Sequence, residues 1–358
     1  MKLPLFFLML SLLSLGVLVT VASRQTTTGQ SIQNCQNPPN ITDYNLQKAI
    51  KKELGISGDI SCQDLENLTS LIVRNRWRIE DSAKISSLEG IQYATNLRFL
   101  ALDHNLIKDL SPLTSLTNLK YLNLRDNRIS DLSPLANKAN LQTISLSANQ
   151  IADISALSSL ANLESLSLGD NYLSDISALS SLTKLQDLSL SNLFYRLYPY
   201  TGVTNFNRIK DFSVLSNLTE LQSLDLSALA VGNLDFLTNL TKLEHLNLLE
   251  NNIEDIKVLS SLTNLRYLSL DFNQIRDITV LKKLTNLDKL GLSNNRISNI
   301  NALIDNPGLS GANDEIKLEL NCLNTREGSP VRRDLEALKE RGIKLSFIFQ
   351  KPLCTFFK

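Results

Sequence analysis

The chain has 358 residues, of which 36 are basic and 36 are acidic, so its formal net charge is zero. This balance excludes a general electrostatic attraction to nucleic acid or to an anionic membrane surface. The chain holds two histidines, which lie many repeats apart, and it lacks the common hydrolase, zinc-protease, phosphate-loop and dinucleotide motifs. We therefore expect a protein that is not an enzyme, with no catalytic residue, no cofactor and no metal site.

Residues 1–23 are predicted to be a secretory signal peptide. Lys2 precedes an apolar run over residues 3–21, and the small residues Ala22 and Ser23 provide a cleavage site. An uncleaved membrane anchor is the alternative, because the run approaches the length of a membrane-spanning helix. After cleavage we expect no membrane insertion, and a protein that is secreted or exposed at the cell surface.

Residues 24–66 are predicted to contain a polar lead-in and a helical N-terminal cap. A first helix begins after Thr42 or Asp43, either of which can cap it, and ends at Gly55. A second short helix begins at Ser61 with a sequence resembling a capping box. These helices are expected to cover the open edge of the first repeat, whose leucines would otherwise face water.

Residues 67–309 are organised around a 22-residue repeat. Four units follow one another without a gap from Leu97, and three more resume after an irregular region. The spacing LxxLxLxxNxI, followed by LxxLxxL, is the sequence signature of a leucine-rich-repeat solenoid. Each unit supplies one strand with alternate leucines pointing inward, and it buries them only against its neighbours. We therefore predict an elongated stack of coils with a parallel sheet.

Two polar columns recur once per repeat. An asparagine is predicted to satisfy backbone groups within and between coils; it stands at Asn105, Asn127, Asn149, Asn171, Asn207, Asn251, Asn273, Asn295 and Asn321. A column of aspartates that begins at Asp109 precedes short helical turns, where Ser111 and Ser133 with their following prolines are predicted N-caps. A calcium site is the alternative for the aspartates, but no DxDxDG loop is present.

The repeat that begins at Leu185 is 36 residues long, 14 more than its neighbours. The insertion spans about residues 192–205 and is rich in aromatic residues. Insertions in solenoids form loops at one edge, and aromatic residues with arginine are typical of interface cores. We predict that this loop binds the ligand through Phe194, Tyr195, Arg196, Tyr198 and Tyr200. The alternative is that its rings pack back onto the solenoid.

Residues 310–358 are predicted to contain the last strand and a C-terminal cap. Ile316 and its neighbours occupy repeat positions, and Ser329 with the following proline opens a helix that ends at Gly342. The segment after that glycine reads as a final strand. The repeat stack therefore has a helix and a strand at its C-terminal end.

The four cysteines allow three disulfide pairings. Two of the pairings join the two ends of the array, which about ten stacked strands would hold some 50 Å apart. That distance is far beyond disulfide reach. The remaining pairing, Cys35–Cys62 with Cys322–Cys354, predicts a disulfide in each cap and an oxidising compartment. Four unrelated buried thiols are the alternative.

Alternation along each strand also predicts which side chains leave the sheet on its exposed face. Aromatic and charged residues lie toward the two ends of this face, with small hydroxylated residues between them. The candidate ligand-binding residues here are Phe99, Tyr121, Arg125, His245, Tyr267 and Asp271. Such a trough suits a protein ligand or a glycan. A merely solvated sheet face is the alternative, above all for the serines.

The repeat LxxLxLxxNxIxDISxLxxLTN closely resembles the bacterial internalin type of leucine-rich repeat, as does the entry DLENLTSL with LEGIQYATNL. The resemblance covers the chain from about residue 43 to the end of the array. It implies an α/β solenoid: a right-handed horseshoe with a parallel concave sheet and 3₁₀ turns on the convex side. It also implies no enzymatic activity, and protein recognition through concave aromatic residues, whose positions match Phe99, Tyr121 and Tyr267.

The chain departs from this family in several respects. It lacks a following immunoglobulin-like domain, a wall-sorting tail and a continuous run of concave aromatic residues, and the cysteine pairs at its ends are not typical. A host-cell adhesin role is therefore not carried over. The repeat equally resembles intracellular phosphatase-binding scaffolds, which stay as the main alternative to a secreted binding protein. A catalytic or metal-dependent protein is a third possibility.

Overall fold

The computed structural model describes residues 35, 39–73, 80–192 and 206–347, which belong to one compact unit. Within them, twelve parallel strands form a single open sheet in chain order. Each strand is three residues long: β1 Ser70–Ile72, β2 Phe99–Ala101, β3 Tyr121–Asn123, β4 Thr143–Ser145, β5 Ser165–Ser167, β6 Asp187–Ser189, β7 Ser223–Asp225, β8 His245–Asn247, β9 Tyr267–Ser269, β10 Lys289–Gly291, β11 Glu315–Lys317 and β12 Lys344–Ser346. This unclosed sheet confirms the predicted solenoid.

The return path of each coil is a short helical turn. In the described residues, the 3₁₀ turns are Asp81–Ala83, Ile91–Tyr93, Ser111–Leu113, Ser133–Leu135, Ser155–Ser159, Ser177–Ser181, Ser213–Asn217, Asp235–Leu237, Lys257–Ser261 and Thr279–Lys283. The α-helices are α1 Tyr44–Leu54, α2 Cys62–Glu66, α3 Asn301–Ile304 and α4 Pro330–Glu340. Short strands and tight 3₁₀ turns allow a complete coil to fit into 22 residues.

The core is a continuous apolar column inside the coils. In the coil that begins at Leu119, the strand and turn residues at the repeat positions are at most 2% exposed: Leu119, Leu122, Leu124, Ile129, Leu132 and Leu135. The same positions are buried in the coils on either side. A 22-residue coil is too small to enclose these side chains, so the neighbouring coils shield them from water.

The N-terminal cap forms as predicted. Asp43 caps α1 by accepting hydrogen bonds from the amides of Asn45 and Leu46, and Gly55 ends the helix with φ of 67°. Ser61 and Asp64 form a complete capping box at α2. The predicted disulfide between Cys35 and Cys62 is present, with 6.1 Å between the Cα atoms.

Asp43 also attaches this cap to the first coil. Its Oδ2 atom accepts hydrogen bonds from the Ser86 amide at 2.7 Å and the Ser86 hydroxyl at 2.9 Å. Burial disfavours the ionised carboxyl, but the hydrogen bonds from Ser86, Leu46 and Ser87 outweigh it and lower the pKa of Asp43. One side chain therefore caps a helix and fixes that helix against the repeat array.

The asparagine ladder is confirmed at all nine predicted positions, among which Asn149 is typical. Its Oδ1 atom accepts a hydrogen bond from the Ile129 amide in the preceding coil at 3.0 Å. Its Nδ2 atom donates to the Leu124 and Leu146 carbonyls, each at 3.0 Å. Because Leu124 lies in the preceding coil and Leu146 in the same one, each asparagine joins two successive coils.

The prediction that Ser111 and Ser133 are N-caps is wrong. Ser111 is the first residue of its turn, and Asp109 supplies the capping atoms: Oδ1 accepts from the Ser111 amide and Oδ2 from its hydroxyl, each at 2.8 Å. Asp131 binds Ser133 in the same way. An aspartate two residues upstream reaches the free amide that opens a 3₁₀ turn, and thereby takes the capping role.

One buried residue, Lys138, was not predicted. It replaces a leucine that follows the 3₁₀ turn in the neighbouring coils. Lys138 occupies the position of Leu116 and Leu160, and its side chain is almost fully buried. Its Nζ atom donates to the carbonyls of Thr114 at 3.1 Å and Leu116 at 3.3 Å. Burial without a carboxylate partner lowers the pKa of Lys138.

The C-terminal cap consists of α4 and β12, as predicted. Ser329 caps α4 by accepting from the Arg332 amide at 3.2 Å, and Pro330 is the first residue of that helix. Strand β12 pairs with β11 and extends the sheet. Cys322 is disulfide-bonded, but its predicted partner Cys354 lies outside the described residues, as does the predicted signal peptide.

Candidate functional site

The candidate site is the exposed face of the sheet, where strand register sets side chains in rows. The first residues of the strands stand side by side from Ser70 on β1 to Lys344 on β12. The row between them is Phe99, Tyr121, Thr143, Ser165, Asp187, Ser223, His245, Tyr267, Lys289 and Glu315. Neighbours in such a row are about 4.8 Å apart, so side chains on adjacent strands contact one another.

The four aromatic candidates of this row form two separate pairs. His245 and Tyr267 stack with 6.4 Å between ring centroids and 22° between ring planes. Phe99 and Tyr121 stand opposite each other on β2 and β3. Strands β4 to β7 lie between the two pairs. Tyr121 on β3 and His245 on β8 are therefore five strand spacings apart, about 24 Å. All four rings are half-buried.

We call Phe99 with Tyr121 the N-terminal pair and His245 with Tyr267 the C-terminal pair. Arg125 is the charged candidate residue that follows the N-terminal pair in the sequence. It lies on the continuation of β3, two residues beyond Asn123, and is half-buried. Next to it, His104 places its Nδ1 atom 2.7 Å from the Asp126 carboxylate and its Nε2 atom 3.6 Å from Asp103. His104 was not predicted to lie beside Arg125, because its position follows the end of strand β2.

The middle of the face is more closed than predicted. Ser227, predicted to point outward, is fully buried, and Ser147 and Ser191 are nearly so. A Cβ atom on Gly169 would stand 2.5 Å from the Ser191 carbonyl oxygen, so adjacent coils approach closely there. The row that holds these three serines is therefore largely covered in the middle of the sheet, and the accessible trough follows the row of first strand residues.

Three carboxylates lie near the C-terminal pair. Asp271, a predicted site residue, accepts from the Ser293 amide at 2.7 Å and the Ser269 hydroxyl at 3.1 Å. Burial nevertheless raises its pKa, and burial likewise raises the pKa of Asp187 and Asp225. Burial and the nearby carboxylates raise the pKa of Tyr267. The sequence pattern did not separate Asp187 and Asp225 from ordinary surface charges.

The predicted loop residues Phe194, Tyr195, Arg196, Tyr198 and Tyr200 lie outside the described residues. The two ends of the insertion are joined at its base: Asn192 accepts from the Asn207 amide at 2.7 Å and donates to the Asn207 carbonyl at 2.9 Å. Asn207 in turn continues the asparagine ladder through Leu173 and Leu168. The asparagine ladder therefore continues from the coil before the insertion to the coil after it.

Among the described residues, the histidine, cysteine, aspartate and glutamate side chains include no group of three that could hold a metal ion. No helix in residues 39–73, 80–192 or 206–347 has the length and apolarity needed to cross a membrane. His104 and His245 are six strands apart along the sheet, too far to share a proton.

The repeated strand, turn and asparagine geometry defines a leucine-rich-repeat protein. The family model for two copies of the leucine-rich repeat matches residues 95–137, 139–181, 241–283 and 263–305. No curated protein sequence matches the chain.

Two solved structures extend this likeness beyond the repeat. An internalin, inlF, from Listeria monocytogenes str. 4b F2365 is 30% identical with a TM-score of 0.65, over 88% of this chain and 93% of that one. Internalin C2, inlC2, from the same strain is 32% identical with a TM-score of 0.50, over 68% of this chain and 91% of that one. The chain belongs to the internalin family of leucine-rich-repeat proteins, whose fold is a protein-binding scaffold.

Proposed function

We propose that this protein is a secreted or surface-exposed, non-enzymatic binding protein that recognises a protein ligand through the concave sheet and the insertion loop. The observation that carries the proposal is the stacked pair His245 and Tyr267, half-buried on the face opposite the leucine core. Neither ring is needed to fill that core, which the strand leucines already occupy.

Interface energetics support this assignment. Tyrosine, tryptophan and arginine supply most of the binding energy in protein interfaces, and they act best where neighbouring groups exclude water. The concave face offers two such patches, one with His245, Tyr267 and Asp271, and one with Phe99, Tyr121 and Arg125. The loop at 192–205 would add further aromatic residues at the edge of the trough. Two patches about 24 Å apart suit a protein better than a small glycan.

The first cap supports the proposed extracellular compartment. A disulfide between Cys35 and Cys62 is typical of proteins that fold outside the reducing cytoplasm. Together with the predicted signal peptide at residues 1–23, it favours export over the intracellular phosphatase-binding alternative. We also keep the division into residues 24–66, 67–309 and 310–358 as lead-in with cap, repeats and C-terminal cap.

The proposal predicts that ligand capture depends on the concave aromatic residues. With residues 24–358 as bait for extracellular proteins, the double variant His245→Ala, Tyr267→Ala should bind the captured ligand at least about tenfold more weakly. Tyr172→Ala is the matched control, because Tyr172 is an exposed aromatic residue outside the strands and their first row. Its affinity should equal that of the unmodified chain.

Removal of residues 193–205 tests the loop separately in the same assay. The loop proposal predicts weaker capture with an unchanged thermal transition, because Asn192 and Asn207 already meet at the base. Unchanged capture by this deletion would remove the loop from the proposal. Unchanged capture by the His245 and Tyr267 double variant would contradict the concave-face proposal itself.

A further inference from the structure

A polar slot lies in the concave face between β6 and β8. Asp187 on β6 and His245 on β8 stand on either side of Ser223 on β7, in one register row. Two strand spacings separate the two larger side chains, about 10 Å. Because Ser223 is small, the space above β7 is open between a carboxylate on one side and an imidazole on the other.

The second wall of the slot is aromatic. His245 stacks on Tyr267, and the stacked rings extend this wall across β8 and β9. Stacked rings offer flat, electron-rich surface to a planar cation. The opposite wall carries the Asp187 carboxylate, whose pKa is raised by desolvation and lowered in part by electrostatic attraction to His245.

The floor of the slot carries a second carboxylate, that of Asp225. Asp225 accepts hydrogen bonds from the amide and the hydroxyl of Ser227, and further contacts come from the Ser191 and Asn247 side chains. Among the described residues, neither Asp225 nor Asp187 forms an ion pair with a lysine or an arginine. Two carboxylates therefore face one slot without a lysine or arginine partner from this part of the chain.

An independent observation on the same floor points to a missing partner. Asn247 pairs with Asp225 in the strand register and is 3% exposed, yet its Nδ2 atom has no hydrogen-bond partner in the described chain. Its Oδ1 atom accepts from the Leu249 amide. The Asn247 side chain also lies close enough to the Asp225 carboxylate to offset part of the rise that burial causes in the pKa of Asp225. Buried donors without a hydrogen-bond partner are rare in folded proteins, and a partner supplied from outside the chain is one explanation for such a donor.

We propose that this slot binds an arginine side chain of the protein ligand. The inference rests on the proposed binding function and specifies the chemistry of the partner. The guanidinium group is planar, carries five donors and stacks on aromatic faces, so it matches both the His245–Tyr267 wall and the two carboxylates. The peptide carbonyl of the same arginine residue is an acceptor of the type that the Asn247 amide lacks. A neutral polar side chain would leave both carboxylates uncompensated.

The chain offers its own reporters for a test, because it contains two histidines. With ¹³C-labelled histidine, His245 reports on the slot by NMR, and His104 at the other end of the sheet serves as the internal control. The probe is N-acetyl-arginine N-methylamide, and the matched probe is N-acetyl-citrulline N-methylamide, which keeps the shape and lacks the charge. The full chain without its predicted signal peptide is used throughout.

We expect the arginine probe to shift the His245 ring resonances saturably, at millimolar concentration, while the citrulline probe binds at least about tenfold more weakly. Asp187→Asn, at an exposed position, should reduce the shift without affecting the fold, and Asp225→Asn should reduce it as well. Equal shifts from both probes, equal shifts of His104 and His245, or no shift at all would overturn the arginine site. Because no protein ligand is present, such a failure leaves the capture experiment, and with it the proposed function, unaffected.

Discussion

Asn149→Ala is expected to lower the free energy of unfolding by about 3 kcal/mol, because it leaves several buried backbone groups without partners. The Ile129 amide loses its acceptor at 3.0 Å, and the carbonyls of Leu124 and Leu146 lose a common donor. Asn149 is fully buried, so water does not replace these bonds. Urea unfolding followed by circular dichroism measures the loss.

Asn162→Ala is the matched control for this prediction. Asn162 also donates to a carbonyl of the preceding coil, that of Ala139 at 2.9 Å, but its side chain is exposed. Water can hydrate the freed carbonyl, so the free energy of unfolding should fall by less than about 1 kcal/mol. If the free energy of unfolding falls equally in the two variants, the burial of the ladder asparagines does not determine how much they stabilise the fold.

Deletion of one whole coil, residues 141–162, is expected to leave a folded protein with a shorter sheet. The deletion joins Asn140 to Leu163 and brings β5 beside β3. Asn171 then stands where Asn149 stood, and it can accept from the Ile129 amide as it now does from Ile151. Each coil contacts chiefly its neighbours, so the loss of one leaves the others shielded. Urea unfolding should stay cooperative, with an m-value lower by roughly a tenth.

Deletion of residues 141–151 is the counterpart and is expected to abolish the cooperative transition. It removes one strand and its ladder asparagine but leaves the turn that follows, so the apolar residues of that turn lose their register with the neighbouring coils. A cooperative transition in the half-coil deletion, or its absence in the whole-coil deletion, would contradict the description of the array as a stack of equivalent coils.

Much of the fold could be predicted because each 22-residue repeat adopts the same local structure. The 22-residue period located the strands, and the asparagine column was correctly assigned as a structural ladder, since a side chain with a donor and an acceptor can bridge two coils. The caps followed from ordinary helix signals such as Asp43, Gly55 and Ser61. Each of these inferences depends only on local sequence or on the period.

The features that were not predicted depend on distances between side chains of neighbouring coils. The 22-residue period of the sequence gives no information about these distances. Lys138 replaces a leucine and binds two carbonyls of the preceding coil, and no local pattern indicates this. Strand alternation places Ser227 on the exposed face, but it does not show that adjacent coils cover it. The slot between Asp187 and His245 likewise arises from residues on three strands whose pairing spans the insertion.

Site-specific photo-crosslinking tests most directly whether the concave face binds the ligand. A benzoylphenylalanine would replace Ser165, on the concave row of β5, or Ala161, an exposed residue outside the sheet at the end of the preceding coil. On illumination with extracellular proteins, we expect a discrete protein adduct from position 165 and none from position 161. An adduct from position 161 with none from position 165 would contradict a concave binding surface.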